Sequence, residues 1–463
     1  MAFSSFPFIL LFLPLAALGY NSLRGRPRAS MLWLLAASLG FYAWGRPTQL
    51  VWLVGSLGFN HLVDLGLDAS DTTRRKPILL VGLVGNILFL AALKYTGFLL
   101  SSLVPLWGGT APQINLVFPL GVSFFTLQQI MYLVDRYEGL VARNTLLEHA
   151  TFVSLFATIT SGPITRTKLL LPQLRTAAGA SDEQIARGLG LFALGLFKKI
   201  VIADSFGQLV GGTSTIEAWI TSFAYSFRIY FDFSGYSDMA IAAGLLMGLT
   251  IPENFAAPYR SRSIIEFWQR WHITLSTFIT TYLYTPLVRS TRKVTLTRAS
   301  MATLTAMTIA GLWHGPSWTF VAFGMFHGVG LVINQLWRKK VKIKIPVFIA
   351  LPATLLFVNI GFVLFRANNL TEAVHTVRHM LSRHPTLGID SLRVTFATSG
   401  QAAMIALPVA VGLLAALVGP TSRQLVEGIQ PRPRHALALV SLVLISFVFL
   451  NSSIAKEFIY RAF

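Results

Sequence analysis

Long apolar stretches alternate with short basic or polar intervals along almost the whole chain. Apolar runs occupy residues 6–20, 31–44 and 49–67, the last two divided by the helix-breaking Gly45-Arg46-Pro47. Residues 78–93 are apolar and the run continues past Lys94 towards Leu106. Further apolar segments cover 118–125, 223–249, 299–312, 316–337, 345–365, 402–418 and 436–450. A spanning helix needs about 20 apolar residues, and several of these runs are shorter. The pattern predicts an all-α polytopic membrane protein in which some helices are tilted, broken or re-entrant, held where protein or a water-filled cavity surrounds them.

Local signals refine this outline. Asp182 and Glu183 after Ser181 start a helix that runs through Gly190 to Phe197, with acidic residues in the favourable first turn. Ser263 followed by Glu266 forms a capping-box pattern. The helix it starts places Ile264, Trp268, Trp271 and Leu275 on one face and Glu266, Gln269 and Arg270 on another. Such a helix suits the cytoplasmic headgroup region. The longest polar interval, 368–400, holds His375, His379 and His384. His375 and His379 have the i, i+4 spacing of a helical metal pair, but no glutamate completes an HExxH motif, so a solvated surface helix is expected. Neither an internal repeat nor a separate soluble domain is visible, so residues 1–463 read as one integral membrane domain.

Composition supports the membrane reading. The chain is 54% hydrophobic and 12% charged, with a mean hydropathy of +0.62, whereas soluble domains carry about 25% charged residues. Lys and Arg number 38 against 18 Asp and Glu, a formal charge of +20. The basic residues cluster in short loops, which points to the positive-inside effect and to anionic lipid headgroups as partners, with no nucleic acid. The basic intervals 24–28, 74–76 and 338–344 are expected in the cytoplasm and the N-terminus outside. Apolar residues begin at Phe6 with no Lys or Arg before them, so no cleavable signal is expected. With no cysteine, disulfides, thiolate metal sites and a cysteine nucleophile are excluded.

The stretch from Asn254 to His327 concentrates chemistry between apolar segments: Asn254, Trp271-His272, Gly311-Leu312-Trp313-His314-Gly315-Pro316 and His327. Ionisable groups at membrane depth are costly and by default mark function. His314 lies at a helix break beside glycine, and a helix starting near Pro316 would place it at a positive dipole end that favours a neutral imidazole, the form a general base needs. His272 is its expected partner, while His327, nearly four turns along the same helix, is expected to be structural. Asp232 and Asp238 lie in an aromatic context, where they either pair with Arg228 and cap broken helices or line the substrate cavity. No metal-ligand spacing joins them, so no metal site is expected. Arg260, Arg262 and Arg270, with Arg289, Arg292, Lys293 and Arg298, either anchor lipid or form an electropositive mouth for an anionic donor such as the phosphates of coenzyme A or phosphopantetheine.

Several extended blocks resemble the membrane-bound O-acyltransferase (MBOAT) family, in its bacterial branch of alginate acetylation and D-alanyl transfer proteins. They are FPLGVSFFTLQ from Phe118, SGPITR from Ser161, GLFKKIVIAD from Gly195, YFDFSGYSDMAIA from Tyr230, PENFAAPYRSRSIIEFWQRWHITLS from Pro252, GLWHGPSWTFVAFGMFHG from Gly311 and FIY near the terminus. The resemblance implies about eleven transmembrane helices with re-entrant and interfacial ones, and a funnel on each face meeting near the catalytic histidine. It carries that histidine onto His314 and the second active-site histidine onto His272; Trp313, Trp271 and Asn254, in the same stretch, are expected to bind substrate. It further implies a multi-pass protein of the bacterial inner membrane, with no permanently bound cofactor. Such a protein takes an acyl group, most simply acetyl, from acetyl-CoA or an acyl-carrier thioester. It passes that group towards an exported polysaccharide, often through an SGNH-type periplasmic partner. His314 would act as general base or accept the acyl group itself; His272 would orient the acceptor or stabilise the oxyanion. One departure is plain: the family's Arg-Asp-Tyr tract and Pro-Leu-Gly-Gly give way here to Thr280-Thr281-Tyr282 and Pro286-Leu287-Val288-Arg289, which implies a divergent subgroup. Transfer of D-alanyl or longer acyl groups from a carrier protein is the enzymatic alternative. A transporter or lipid flippase is the non-enzymatic one, against which the missing inverted repeat counts.

Overall fold

The computed structural model describes every residue except 70, 111, 113–117, 210–213, 291–292, 383–398, 430–431, 453–457 and 460–463. The expectations for Arg292, His384 and Tyr460 lie outside the described residues. Among the described residues every regular element is helical. They group into two compact units, one of Met1–Phe192, Ser237–Glu253 and Ile429–Pro431, the other of Ala193–Tyr236, Asn254–Gly428 and Arg432–Phe463.

The first unit is built on α1 (Phe8–Ser22), α2 (Pro27–Ala43), α3 (Leu50–Ala69) and α4 (Thr72–Leu90). The break at Gly45-Arg46-Pro47 falls as the sequence predicts, with Gly45 at φ +79° and a short 3-10 turn at Pro47–Gln49. Helix α4 passes through a π turn at Ala91–Tyr95, where Lys94 donates to Ser123 Oγ at 3.1 Å. Apolar packing alone gives little preference between helices in lipid, and polar pairs supply it. Asn60 and Asn86 exchange side-chain amide bonds at 3.2 and 2.7 Å between α3 and α4. On α5 (Val122–Tyr137), Arg136 Nε reaches Asp64 at 2.6 Å and the Tyr132 hydroxyl donates to the same carboxylate at 2.7 Å. Two shorter helices follow, α6 (Leu146–Ser154) with a reciprocal Thr145/Glu148 capping box, and α7 (Thr167–Thr176). Arg175 ties them together through Glu148 at 2.7 Å.

Helix α8 (Asp182–Phe197) begins where Asp182 and Glu183 predict. After a π turn at Lys198–Ala203 come α9 (Thr215–Leu245), α10 (Ile264–Arg270), α11 (Ile273–Phe278), α12 (Leu296–His314), α13 (Trp318–Leu336), α14 (Val347–Arg366), α15 (Leu370–Met380), α16 (Ser399–Leu417) and α17 (Pro433–Leu450). The second unit's core is strongly aromatic, with Phe227, Phe233, Tyr259, Phe267, Trp271, Phe323 and Phe362 buried in one cluster. Helices α12 and α13 form a tight pair. A Cβ on Gly324 would strike the Met307 carbonyl oxygen, and one on Gly311 the Phe320 carbonyl oxygen, so both positions require glycine for this approach.

Among the described residues, five helices are long and apolar enough to cross a membrane: Pro47–Ala69, Thr72–Trp107, Trp318–Val341, Val347–Arg366 and Pro433–Leu450. Two shorter apolar helices, Phe8–Ser22 and Met404–Leu417, join them. The resemblance implies about eleven, and length with apolarity alone selects fewer: α2, for example, has only 17 residues. Helix α9, 31 residues long, carries Glu217, Arg228, Asp232 and Asp238.

Two sequence expectations are corrected. The helix from Ile264 does not run on to Leu275: it stops at Arg270, Trp271 is extended, and His272 turns left-handed at φ +43° before α11. The capping box there is half formed. Ser263 Oγ accepts the Glu266 N–H at 3.2 Å, but the Glu266 carboxylate takes the Arg262 N–H at 2.7 Å instead of reaching back to Ser263. The second correction concerns His314. It is the last residue of α12, and α13 starts only at Trp318 with Ser317 as its cap. His314 therefore sits at the carbonyl end of one helix dipole, and the expected positive end does not reach it.

Candidate active site

His272 is placed by an unusual backbone. A non-glycine residue in the left-handed region costs about 1–3 kcal/mol and persists where its surroundings hold it. Asn254 is that support. Its backbone carbonyl accepts the Ile273 N–H at 3.0 Å, and the Ala256 N–H donates to the Arg270 carbonyl at 3.0 Å, so 254–256 clasps the break between α10 and α11. The Asn254 side-chain oxygen accepts from Thr274 N–H at 3.2 Å and Thr274 Oγ1 at 2.8 Å, and it lies 3.1 Å from His272 Nδ1.

The Thr274 backbone N–H can only donate, so the Asn254 atom it meets is the carbonyl oxygen. His272 Nδ1 must therefore carry the proton in that bond, and Nε2 of the neutral ring presents a lone pair. Nε2 has no hydrogen-bond partner among the described residues, and the ring is fully buried. Phe233 of α9 meets it edge to face at 4.7 Å.

His314 comes from the end of α12, buried against Phe365 at 5.2 Å and Phe323 at 6.2 Å. Trp313 joins the two histidines: its ring lies 5.1 Å from His314 and 6.5 Å from His272. The imidazoles are close enough to interact electrostatically. Two histidines separated by α11, a basic loop and α12 thus converge in one buried, aromatic-walled place. An imidazole with a defined lone pair beside a second imidazole can take up and return a proton in surroundings that exclude water.

The other sequence-selected residues fall in several places. Trp271 is a core residue, packed on Phe255 at 5.1 Å, Phe362 at 5.1 Å and Phe267 at 5.5 Å. Asp232 accepts Lys199 Nζ at 2.9 Å and the Ile459 N–H at 2.7 Å, while Lys199 also reaches Asp204 at 2.7 Å. Its partner is thus Lys199, where the sequence reading offered Arg228. Asp238 belongs to the first unit. Arg270 is paired with Glu266 at 2.7 Å and Arg260 donates to the Ala415 carbonyl at 3.2 Å, while Arg262 is exposed. His327 is fully buried and accepts Trp268 Nε1–H at Nδ1 over 3.3 Å. The threonines that replace the charged tract lie in a π turn, Ile279–Tyr284, where Thr280 Oγ1 bonds back to the Ser276 carbonyl at 2.8 Å.

Sequence reasoning missed Thr274, Phe233 and Phe365 as walls and props of the site. Only Thr274, two residues after His272, carried a local signal, as a polar side chain in the first turn of a new helix.

Comparison with known proteins agrees with this picture. The family model for MBOAT, the membrane-bound O-acyltransferase family, matches residues 137–371. A peptidoglycan O-acetyltransferase of Helicobacter pylori is 36% identical over 415 residues, covering 81% of this chain and 78% of its own. A probable alginate O-acetylase, AlgI, of Pseudomonas aeruginosa is 36% identical over 395 residues, covering 82% and 75%. A teichoic acid D-alanyltransferase of Streptococcus thermophilus is 32% identical over 256 residues, covering 51% and 61%. The histidine pair thus sits in a chain that belongs to the membrane-bound O-acyltransferase family and is an O-acyltransferase.

Proposed function

We propose that this protein moves an acyl group, most simply acetyl, from a cytoplasmic thioester to a hydroxyl acceptor bound for an exported polysaccharide, with His314 and His272 as the catalytic pair. The observation that carries this is the convergence of the two imidazoles around Trp313. Support for acetyl and for a polysaccharide comes from the names of the peptidoglycan and alginate relatives. The teichoic acid relative keeps D-alanyl transfer as the alternative. On this reading the donor is acetyl-CoA or an acyl-carrier phosphopantetheine, and an SGNH-type periplasmic protein receives or places the acyl group. The protein would sit in the inner membrane with its N-terminus outside, as the basic intervals 24–28, 74–76 and 338–344 favour.

In the reaction the acceptor oxygen attacks the thioester carbonyl, its proton passes to an imidazole, and the C–S bond breaks as that proton returns to the leaving thiolate. His314 takes the proton in the primary reading. For His272 the bond to Asn254 supports the orienting role: a neutral ring with Nδ1–H engaged offers a lone pair at Nε2, which can accept from a hydroxyl but cannot donate to an oxyanion. The same bond favours a second reading in which His272 Nε2 is the base and His314 orients. The test is transfer of label from a radiolabelled acyl thioester to acceptor by purified protein. Label transfer lost with His314→Ala supports the enzyme, whereas uptake of solute or lipid without thioester consumption would make the protein a carrier.

A further inference from the structure

A cavity of about 320 Å³ opens in the second unit at the C-terminal end of α14, lined by Ser222, Tyr225, Phe362, Arg366, His375 and His379 among others. No residue assigned above to catalysis or donor binding lines it. Helix α14 is long and apolar enough to cross a membrane between the basic interval 338–344 and Arg366, a crossing that would put the cavity at the opposite face from that interval. If the basic side is cytoplasmic, a cytoplasmic thioester does not approach from here.

The cavity is nevertheless one aromatic layer from the histidines. Phe362 on its floor packs on Trp271 at 5.1 Å, and Phe365, beside Arg366, packs on His314 at 5.2 Å. Arg366 holds its guanidinium 5.8 Å over the Tyr225 ring and, among the described residues, donates no hydrogen bond and forms no ion pair. A planar fork of donors held over a ring is pre-organised for a carboxylate. Ser222, buried in the lining, has a hydroxyl with no hydrogen-bond partner among the described residues. His375 and His379 stack at 5.8 Å on α15 and present further ring nitrogens.

Glu372 also lines the cavity, with Oε2 occupied by the Asn368 backbone N–H and Nδ2, each at 3.0 Å. Arg366 and Glu372 line the cavity with opposite charges, and the Arg228 guanidinium, within electrostatic reach of Arg366 and Tyr225, adds one further positive charge. Such a site suits a single carboxylate with hydroxyl groups better than a doubly charged phosphate. Its volume is at the small end of ligand pockets, about 300–1,000 Å³, and fits one sugar-sized unit.

We propose that this cavity binds the acceptor through a hydroxyl-bearing carboxylate of sugar-acid type, with Arg366 as the anchor and Ser222, His375 and His379 as hydrogen-bonding partners. The inference rests on the acyl-transfer reading for the word acceptor, but not for the binding itself.

The test uses the full chain in nanodiscs of zwitterionic lipid, with glucuronate, glucose and glucose 6-phosphate as probes, read by saturation-transfer NMR without turnover. Glucuronate should bind most tightly, and Arg366→Ala should weaken it by about 10- to 100-fold, the range for a hydrogen bond to a charged group. His375→Ala, on the exposed face of α15, should weaken it less and serves if the arginine variant fails to fold. In turnover, Arg366→Ala should raise the apparent KM for acceptor and leave that for the thioester in place. Equal binding of glucose, preferred binding of glucose 6-phosphate, or glucuronate binding unchanged in Arg366→Ala and His375→Ala would overturn the proposal. A protein that binds glucuronate yet consumes no thioester would overturn the acyl-transfer reading and leave the cavity assigned.

Discussion

Asn254→Ala is the most informative perturbation of the site's geometry. It removes one oxygen that serves Thr274 N–H, Thr274 Oγ1 and His272 Nδ1 at 3.2, 2.8 and 3.1 Å. The threonine hydroxyl can rotate to another acceptor, but the two N–H donors are fixed and buried. Each unsatisfied donor costs about 1–3 kcal/mol, so the substitution should destabilise the fold by about 2–6 kcal/mol. The clasp across the α10–α11 break would loosen as well, freeing the His272 ring. A displacement of about 1 Å at a catalytic group costs on the order of 10²-fold in rate. Asn254→Asp keeps an acceptor oxygen in the same place and should retain the fold and most of the rate. The assay is thiol release from an acyl thioester, read with a thiol-reactive dye. The chain contributes no background because it has no cysteine. Thermal unfolding in detergent gives stability in parallel. If folded Asn254→Ala released thiol at the wild-type rate, or if Asn254→Asp fell as far as Asn254→Ala, the positioning argument would fail.

Three further outcomes follow from the packing. The hydrogen bond from Arg175 holds the Glu148 carboxyl below its ordinary range, opposed by burial. A depressed folded pKa gives stability that is present above the unfolded value of about 4.3 and is lost as pH falls through the folded one. The unfolding midpoint of wild type should therefore exceed that of Glu148→Gln at pH 6 and converge with it in acid; a constant gap would refute the coupling. Asp232→Ala leaves Lys199 with Asp204 but deprives the Ile459 N–H of its acceptor. Breaking a buried ionic cluster costs about 3–5 kcal/mol, which thermal unfolding would register, with Asp232→Asn milder because an acceptor remains. Gly324→Ala drives a methyl into the Met307 carbonyl oxygen and should cost about 1–3 kcal/mol by overpacking; unchanged stability would mean that α12 and α13 can separate freely.

The sequence made some of this architecture legible and concealed the rest for physical reasons. Apolar runs located α1, α2, α3 and α14 to within a few residues, because burial in lipid demands continuous apolar length. The π turn at Lys94 left only the hint of an apolar run continuing past a charge. The turn at His272 was invisible: Ile264, Trp268, Trp271 and Leu275 keep helical spacing across it, and the clasp that breaks the helix comes from Asn254, eighteen residues away. Periodicity records burial, and both halves of the broken helix are buried. For His314, Pro316 signalled a helix start correctly to within two residues, but Trp313 and His314 stayed in the preceding helix, so the dipole argument inverted. The role of Lys199 as the partner of Asp232 required tertiary structure. The surface helix expected at His375 and His379 is present as α15, but the cavity beside it is assembled from α9, α14 and α15, which no local pattern joins.

The central claim is that His314 and His272 form one proton-transfer unit, and the direct measurement is the rate of acyl transfer by His314→Ala, His272→Ala and the double variant, each shown to be folded. Loss of a general base lowers the rate by about 10²–10⁴-fold. Both single variants should fall steeply, and the double variant should be little worse than the poorer single, because groups that act as a unit are not additive. His327→Ala, which removes the acceptor of Trp268 and packing on Phe323 and Phe357, should retain measurable turnover. Folded His314→Ala protein turning over at near the wild-type rate, or two single losses that multiply in the double variant, would contradict the claim.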